Sequence, residues 1–569
     1  MDQTCNIAGF LGDMAKRDPH GPAIFAPVGR DRHGHTRYVH HTRLQLDQRS
    51  DRIARGLIAA GVGRGTRVAV MVRPGLELFA LTFGLFKAGA VPVMIDPGIG
   101  RKNLGVCLDE AEPEAFIGIP PAHLARAILG WGRRTVRRLI TVGPRILWGG
   151  WTLAEIEKMG AAPGDWQIAD TAAGDVAAIL FTSGATGVPK GVVYTHGTFV
   201  AQVELIREAF AIEPGEIDLP TFPLFALFDP ALGMTTILPE MDFTRPAQVD
   251  PQRILAAVEA FGVTNMFGSP ALLDTVGRWG AERGVRMPTL RRVISAGAPV
   301  PAVVMERFLA MLEPGARVWT PYGATEALPV AITHSDELLG EARGRTDRGA
   351  GVCVGLPLDA NDVRIIAIDD GPIANVAAAR ELPAGEIGEI TVTGPTVTHA
   401  YLNRPESTAL AKIDDGGRVR HRMGDVGWLD ETGRLWFCGR KGHRVVLADR
   451  TLFTVPCERV FEVHDKVRRT ALVGPRVAGL DDPVPTLCIE WEAGVAREER
   501  DRAIAELAEL GAGFAHTQPI QTFLSHPGFP VDIRHNAKID RPQLAEWAAR
   551  QPAVKARAAA ARRAAGGAA

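Results

Sequence analysis

Two hydrophobic rhythms alternate along the first part of the chain. Leu46, Ile53, Leu57 and Ala60 recur at helical spacing, and Gly61 and Gly63 stop that helix. Residues 68–72 follow as a short unbroken apolar run, the pattern of a strand buried on both faces. The spacing then predicts a helix over 78–86 and a strand over 91–95. The same order returns with a strand at 176–181 and a helix at 198–210, where Phe199, Val203, Ile206 and Phe210 share one face. Strands alternating with helices predict an α/β fold of mostly parallel sheets. From about residue 383 the period changes to two, at 386–392 and again at 435–437, which predicts a small barrel-like subdomain. Beyond Gly439-Arg-Lys-Gly-His443 a shorter strand–helix alternation begins. The expected organisation is a large domain over 1–440, a small mobile α/β domain over 441–552, and an Ala/Arg-rich tail over 553–569 that is disordered or a frayed helix.

Bulk properties narrow the class. At 569 residues the chain is too long for one core. A formal net charge of −1 gives no global attraction to nucleic acid or to an anionic membrane. Six cysteines, at 5, 107, 353, 438, 457 and 488, show no CxxC spacing, which speaks against zinc ribbons and disulfide scaffolds. They suit a reducing cytoplasm as small buried hydrophobes. The first residues lack the basic-then-apolar build of a signal peptide. The longest apolar stretch, 76–95, is broken by Glu77, Lys87 and a Gly89–Pro92 turn, so it reads as a buried helix and strand rather than a membrane span. A cytoplasmic location is expected.

The chemistry concentrates in Phe181-Thr-Ser-Gly-Ala-Thr-Gly-Val-Pro-Lys-Gly191. Gly184, Gly187 and Gly191 allow backbone N–H groups to approach phosphate oxygens, Thr182, Ser183 and Thr186 add hydroxyls, and Lys190 adds a point charge. The lysine carries weight because the chain holds ten lysines against fifty-four arginines. No Ser or Thr follows Lys190 and an apolar run follows Gly191, so this is not a Walker A loop. Other polar clusters sit in strand–turn contexts: Pro321-Tyr-Gly-Ala-Thr-Glu326, His421-Arg-Met-Gly-Asp-Val-Gly-Trp-Leu-Asp430, and Asp532-Ile-Arg-His-Asn-Ala-Lys-Ile-Asp-Arg541. Each alone is ordinary turn or cap chemistry; their order and spacing carry the signal.

That order resembles the adenylate-forming superfamily of acyl-CoA synthetases, luciferases and peptide-synthetase adenylation domains, over about residues 5–550. The resemblance implies an ATP site formed by Thr182, Ser183, Gly184, Ala185, Thr186, Gly187 and Lys190, with Ala296, Gly297, Ala298, Tyr322, Gly323 and Thr325 around the base. It implies Asp425 on the ribose with Arg440 beside it, and Mg²⁺ placed by Glu326 and Thr186. Lys538 resembles the lysine that the small domain brings in for adenylation, so Lys538, Lys190, Glu326 and Thr186 are the expected catalytic set. Gly442 stands at the hinge position, where the superfamily has Asp or Lys. At the glycine that lines the pantetheine tunnel of CoA-forming members this chain has Asp449, and Arg-His-Asn-Ala-Lys538 replaces Pro-x-x-x-Gly-Lys. Both departures speak against thioester formation.

The segments 223–233, 322–329 and 529–538 resemble a narrower group within the superfamily, the olefin β-lactone synthetases of bacterial long-chain hydrocarbon biosynthesis. That resemblance implies ATP-dependent activation of a long-chain 2-alkyl-3-hydroxy acid as acyl-AMP. Attack by its own 3-hydroxyl then gives a β-lactone, AMP and pyrophosphate. It further implies neighbours in the same pathway: a thiolase-like condensing enzyme, a reductase and a β-lactone decarboxylase. Phe225, Phe228, Gly233 and His196 are the candidate lining of the acyl pocket. His443, His535 and His196 are candidates for the base that takes the hydroxyl proton. Asp229 reads as a turn or cap aspartate. The rival reading is a fatty or aryl acyl-CoA ligase.

Overall fold

A seven-stranded sheet opens the architecture of the computed structural model, which describes residues 5–161, 166–181, 189–531 and 539–566. Its order is Trp151–Thr152, Arg138–Thr141, Ala115–Gly118, Arg67–Met71, Val91–Ile95, Val176–Phe181 and Gly191–Thr195, parallel except for the last strand. The expected run at 91–95 is buried at every position, because helices cover both faces of this sheet. One of them, Leu76–Lys87, is buried along its whole length, which explains why the apolar stretch at 76–95 needs no membrane. Among the described residues no helix is long and apolar enough to cross one.

A second, larger sheet begins with parallel strands at Thr235–Ile237, Ile217–Pro220, Asn265–Phe267, Arg292–Ile294 and Arg317–Ala324. It turns antiparallel through Ala327–His334 and Val352–Pro357 into Leu435–Arg440, Arg418–Leu429, Gly388–Thr393 and Asp362–Ile366, the region where the sequence changes to period two. This part is held by buried ion pairs. Arg422 binds Glu389 through two nitrogens, and Lys441 reaches the same carboxylate at 3.0 Å.

After residue 444 the chain forms a three-stranded sheet, Val467–Val473, Thr486–Trp491 and Thr522–Ser525, with helices at Thr454–Phe461, Arg497–Ala512 and Arg541–Ala549. Two apolar clusters here draw only on residues from 445 onward. Of the two expectations for the tail the helix holds, packed where fraying was expected. Pro552–Gly566 is a helix, and Val554 and Ala558, one turn apart, are 0% exposed against Leu544, Ala548 and Phe529. The Ala/Arg composition hid an apolar stripe of only two residues.

Candidate active site

Loops at the carboxyl ends of parallel strands are where open α/β sheets bind ligands, and the polar clusters gather there. The strand Val176–Phe181 runs into the Gly/Ser/Thr loop and Gly191–Thr195 returns beside it, with Phe181 opposite Gly191. Thr182, Ser183, Gly184, Ala185, Thr186 and Gly187 lie outside the described residues, as do Lys538 and His535. Lys190 is described, and its Nζ stands 4.9 Å from the centroid of the Tyr401 ring.

Tyr401 arrives through a junction between the two sheets. Leu402 N–H donates to the Gly191 carbonyl at 2.8 Å, and Val192 and Tyr401 pair as an isolated bridge. A Cβ on Gly191 would lie 3.0 Å from the Phe181 ring and 3.3 Å from Leu402, so any larger residue would have to push these side chains aside. The Tyr401 hydroxyl donates to Glu326 Oε1 at 2.5 Å. Burial and the Glu326 charge raise the Tyr401 pKa, which keeps the phenol protonated and able to donate.

Glu326 sits in the turn between Arg317–Ala324 and Ala327–His334, and that turn is pinned from three sides. Tyr194 donates its hydroxyl to the Thr325 carbonyl. Thr398 donates to the Glu326 carbonyl from both its N–H, at 2.9 Å, and its hydroxyl, at 3.1 Å. Lys412 in turn donates to the Thr398 carbonyl, and burial draws its ammonium down to about 7 against the opposing pull of Glu326. Among the described residues no group of three His, Cys, Asp or Glu side chains converges. A single carboxylate still fits Mg²⁺, a hard cation that keeps waters and takes its remaining ligands from nucleotide phosphates.

The second cluster is built across strands. Asp425 and Arg440 are direct partners between Arg418–Leu429 and Leu435–Arg440, and Arg440 Nη1 donates to Asp425 Oδ1 at 2.7 Å. Tyr322 donates to the other carboxylate oxygen at 2.8 Å. Asp425 raises the Arg440 pKa, while burial first and Asp425 second raise that of Tyr322. Gly323, next to Tyr322, sits at a bulge where a Cβ would lie 2.7 Å from the Ala327 carbonyl. Ala296, Gly297 and Ala298 form the loop after the neighbouring strand Arg292–Ile294, with Gly297 at φ +94°.

The proposed acyl wall divides. Phe225 packs at a tilt against Phe267 (4.6 Å) and Phe222 (5.2 Å), and Phe228 meets Phe199 edge-on at 5.9 Å, with Phe199 stacked on Tyr194. These rings form two separate aromatic groups, and the second reaches the Glu326 turn through Tyr194. His196 joins the second group through Phe86, which contacts both it and Phe199. Gly233 caps the helix Asp229–Leu232 at φ +79° and packs on Met14 and Pro214. His196 is 1% exposed, accepts from Ile7 N–H through Nδ1, and is pushed down to about 4 by burial.

Other candidates fall into place. Gly442 lies exposed in the turn Lys441–His443 with no atom within 4 Å of a Cβ built on it. Asp449 is exposed and pairs with Arg450 at 2.8 Å. His443 is held down at about 4, chiefly by burial. Asp229 is no surface cap: it is buried, takes the Thr236 hydroxyl at 2.7 Å, and is pushed up to about 7 by burial beside buried Asp218. The sequence reading missed Tyr401, Thr398 and Lys412. A usable signal existed for the first, since the chain has four tyrosines and three of them (194, 322 and 401) bond to this site.

Comparison with known proteins agrees with this geometry. The sequence profile of the family described as AMP-binding enzyme matches residues 13–402. The chain is 54% identical to an olefin β-lactone synthetase of Xanthomonas campestris pv. campestris, over 97% of this chain and 99% of that one. It is 53% identical to an enzyme of the same name from Stenotrophomonas maltophilia, over 96% and 99%. Among solved structures, the anthranilate CoA ligase AuaEII in complex with anthranoyl-AMP superposes with a TM-score of 0.79 at 17% identity, over 97% and 99% of the two chains, which establishes the shared fold. The chain belongs to the AMP-binding enzyme family, the ATP-using adenylate-forming ligases, and within it to the olefin β-lactone synthetases.

Proposed function

We propose that the enzyme converts a long-chain 2-alkyl-3-hydroxy carboxylic acid into its β-lactone. The observation that carries this reading is the identity of 54% across nearly the full length of an olefin β-lactone synthetase. In the first step a substrate carboxylate oxygen attacks the α-phosphorus of ATP, the bond to pyrophosphate breaks, and acyl-AMP forms. In the second, the 3-hydroxyl oxygen attacks the acyl carbon, the hydroxyl proton is lost, and the bond to AMP breaks as the four-membered ring closes. A tethered nucleophile gains a large effective concentration, which helps offset ring strain.

The residues divide the work. Asp425, fixed by Arg440 and Tyr322, offers carboxylate oxygens to the ribose hydroxyls, beside the adenine loop at 296–298. Lys190 and Lys538 supply positive charge where the phosphorus centre becomes more negative. Glu326, with Thr186, would hold Mg²⁺, which on binding neutralises phosphate charge. Tyr401 holds the Glu326 carboxylate in one orientation for that task. Phe225 and Phe228 would face the alkyl chains. We assign residues 1–440 to the nucleotide and acyl sites and 441–552 to a small domain that turns at Gly442 to deliver Lys538. An aspartate at 449, exposed and paired with Arg450, in place of the glycine of CoA-forming relatives supports ring closure without CoA. A cytoplasmic place beside condensing, reducing and decarboxylating enzymes of the same pathway fits this chemistry.

The test is incubation with ATP, Mg²⁺ and a synthetic 2-alkyl-3-hydroxy acid, with and without CoA, and identification of the product by NMR. A lactone with AMP, formed without CoA, is expected. A thioester formed only with CoA would make the enzyme an acyl-CoA ligase. Lys538→Ala should lose adenylation by about 10²- to 10³-fold while retaining ATP binding; unchanged AMP release would remove Lys538 from the site.

A further inference from the structure

The net charge of −1 conceals a strong local imbalance. Between Glu114 and Glu155 the chain carries six arginines and not one carboxylate. This stretch forms the far edge of the seven-stranded sheet, opposite the strand that follows Lys190. Its helix, Pro120–Leu129, turns Ala122 and Ala125 toward the core and leaves Leu124, Ile128 and Leu129 exposed, Ile128 at 73%. The loop after Arg138–Thr141 adds Ile146 and Leu147, exposed by 63% and 88%.

The loop is fastened to the helix. Trp148 stacks on His123 at 5.0 Å and 12°, and its indole N–H donates to Thr141 Oγ1 at 2.8 Å. Leu124 and Ile128, one turn apart, share the outer face of the helix, and the Trp148 anchor keeps the loop that carries Ile146 and Leu147 against that helix. Arg133 and Arg134 follow the helix C-terminus, are exposed, and have no carboxylate partner among the described residues. Arg145, in the loop itself, pairs with Glu155 at 3.2 Å. Soluble proteins rarely leave aliphatic side chains this exposed together without a partner.

We propose that this face docks on an anionic lipid surface. Aliphatic side chains that project into water and are flanked by unpaired arginines match acyl chains lying beneath phosphate headgroups, with hydrophobic insertion and charge acting together. A surface attached in this way would hold the enzyme beside long-chain acids, whatever their chain lengths. The catalytic residues lie at other strands, so the surface can be altered without touching them.

Full-length protein is to be sedimented with phosphatidylglycerol/phosphatidylcholine vesicles and with phosphatidylcholine vesicles, at low and high salt. Wild type should pellet with the anionic vesicles and be released by salt. Ile128→Glu with Leu147→Glu should reduce binding at least tenfold. Arg133→Glu with Arg134→Glu should reduce it by more than that, since each arginine is worth roughly fivefold in partitioning. Both double variants should keep wild-type AMP release in solution, which shows that they fold. Wild type remaining in the supernatant, binding neutral vesicles equally well, or binding no better than either variant would each overturn the proposal. Self-association that the Ile128/Leu147 variant abolishes, without vesicle binding, would make the face an interface between copies instead.

Discussion

Replacing Tyr401 by Phe removes one oxygen and leaves everything else at that position in place. The ring still lies beneath Lys190 at 4.9 Å, so the cation–π contact survives, and the pairing with Gly191–Val193 runs through the backbone. What is lost is the 2.5 Å bond to Glu326 Oε1. A hydrogen bond to a charged group is worth about 1.5–3 kcal/mol. If Glu326 must hold one orientation as charge builds on the phosphates, that energy is missing mainly from the transition state. The expected loss in kcat/KM for adenylation is then about 10- to 150-fold. The assay is pyrophosphate release in a single turnover, measured across a series of Mg²⁺·ATP concentrations, with a thermal midpoint recorded alongside to show that the fold is intact. Tyr401→Phe should require more Mg²⁺ for half-maximal rate, and Tyr401→Ala should fall further because it also strips the ring from Lys190. Wild-type kcat/KM and Mg²⁺ dependence in the Phe variant would refute the idea that Tyr401 positions Glu326.

Asp425→Asn keeps the shape of the side chain but leaves Arg440 facing a neutral group. About 1.5–3 kcal/mol of ATP binding should disappear, seen as a rise of about 10- to 150-fold in KM for ATP with kcat little changed; an unaltered KM would take the ribose contact away from Asp425. His196 gives a pH test. Its folded pKa, about 4, lies below the ordinary 6.5, so the unfolded chain takes up a proton that the folded one refuses. Stability present above pH 6.5 is therefore lost as the pH falls toward 4, by about 2 kcal/mol at pH 5. Urea unfolding at pH 7 and pH 5 should show a shallower decline for His196→Gln than for wild type, and equal declines would mean that the ring is not shielded. Val554→Asp should lower stability by about 3 kcal/mol by burying a charge in the C-terminal helix contact; a melting curve like that of wild type would return the tail to a frayed state.

Local rules read much of the molecule correctly. Val91–Ile95 needed only an unbroken apolar run to be placed inside a covered parallel sheet, and Leu435–Arg440 needed only its change of period. Asp425 and Arg440 could be paired because family order marks both positions. Glu326 was visible for the same reason, but its supports were not. Thr398, Tyr401 and Lys412 lie more than 70 residues further on, and nothing in their local sequence points back.

Within its own windows, then, the sequence decided the secondary structure, the class of fold and the membership of the chain in an adenylate-forming family. Hydrophobic period and turn chemistry are short-range, and they survive being read one segment at a time. Tertiary structure alone decided which way side chains turn and which distant ones meet. It set His196 against Ile7, drew Asp218 and Asp229 together in the core, and closed a bridge between Val192 and Tyr401 that brings a phenol to Glu326. Those outcomes depend on how two sheets pack against each other, a long-range balance of burial and hydrogen bonding that no window of neighbouring residues contains.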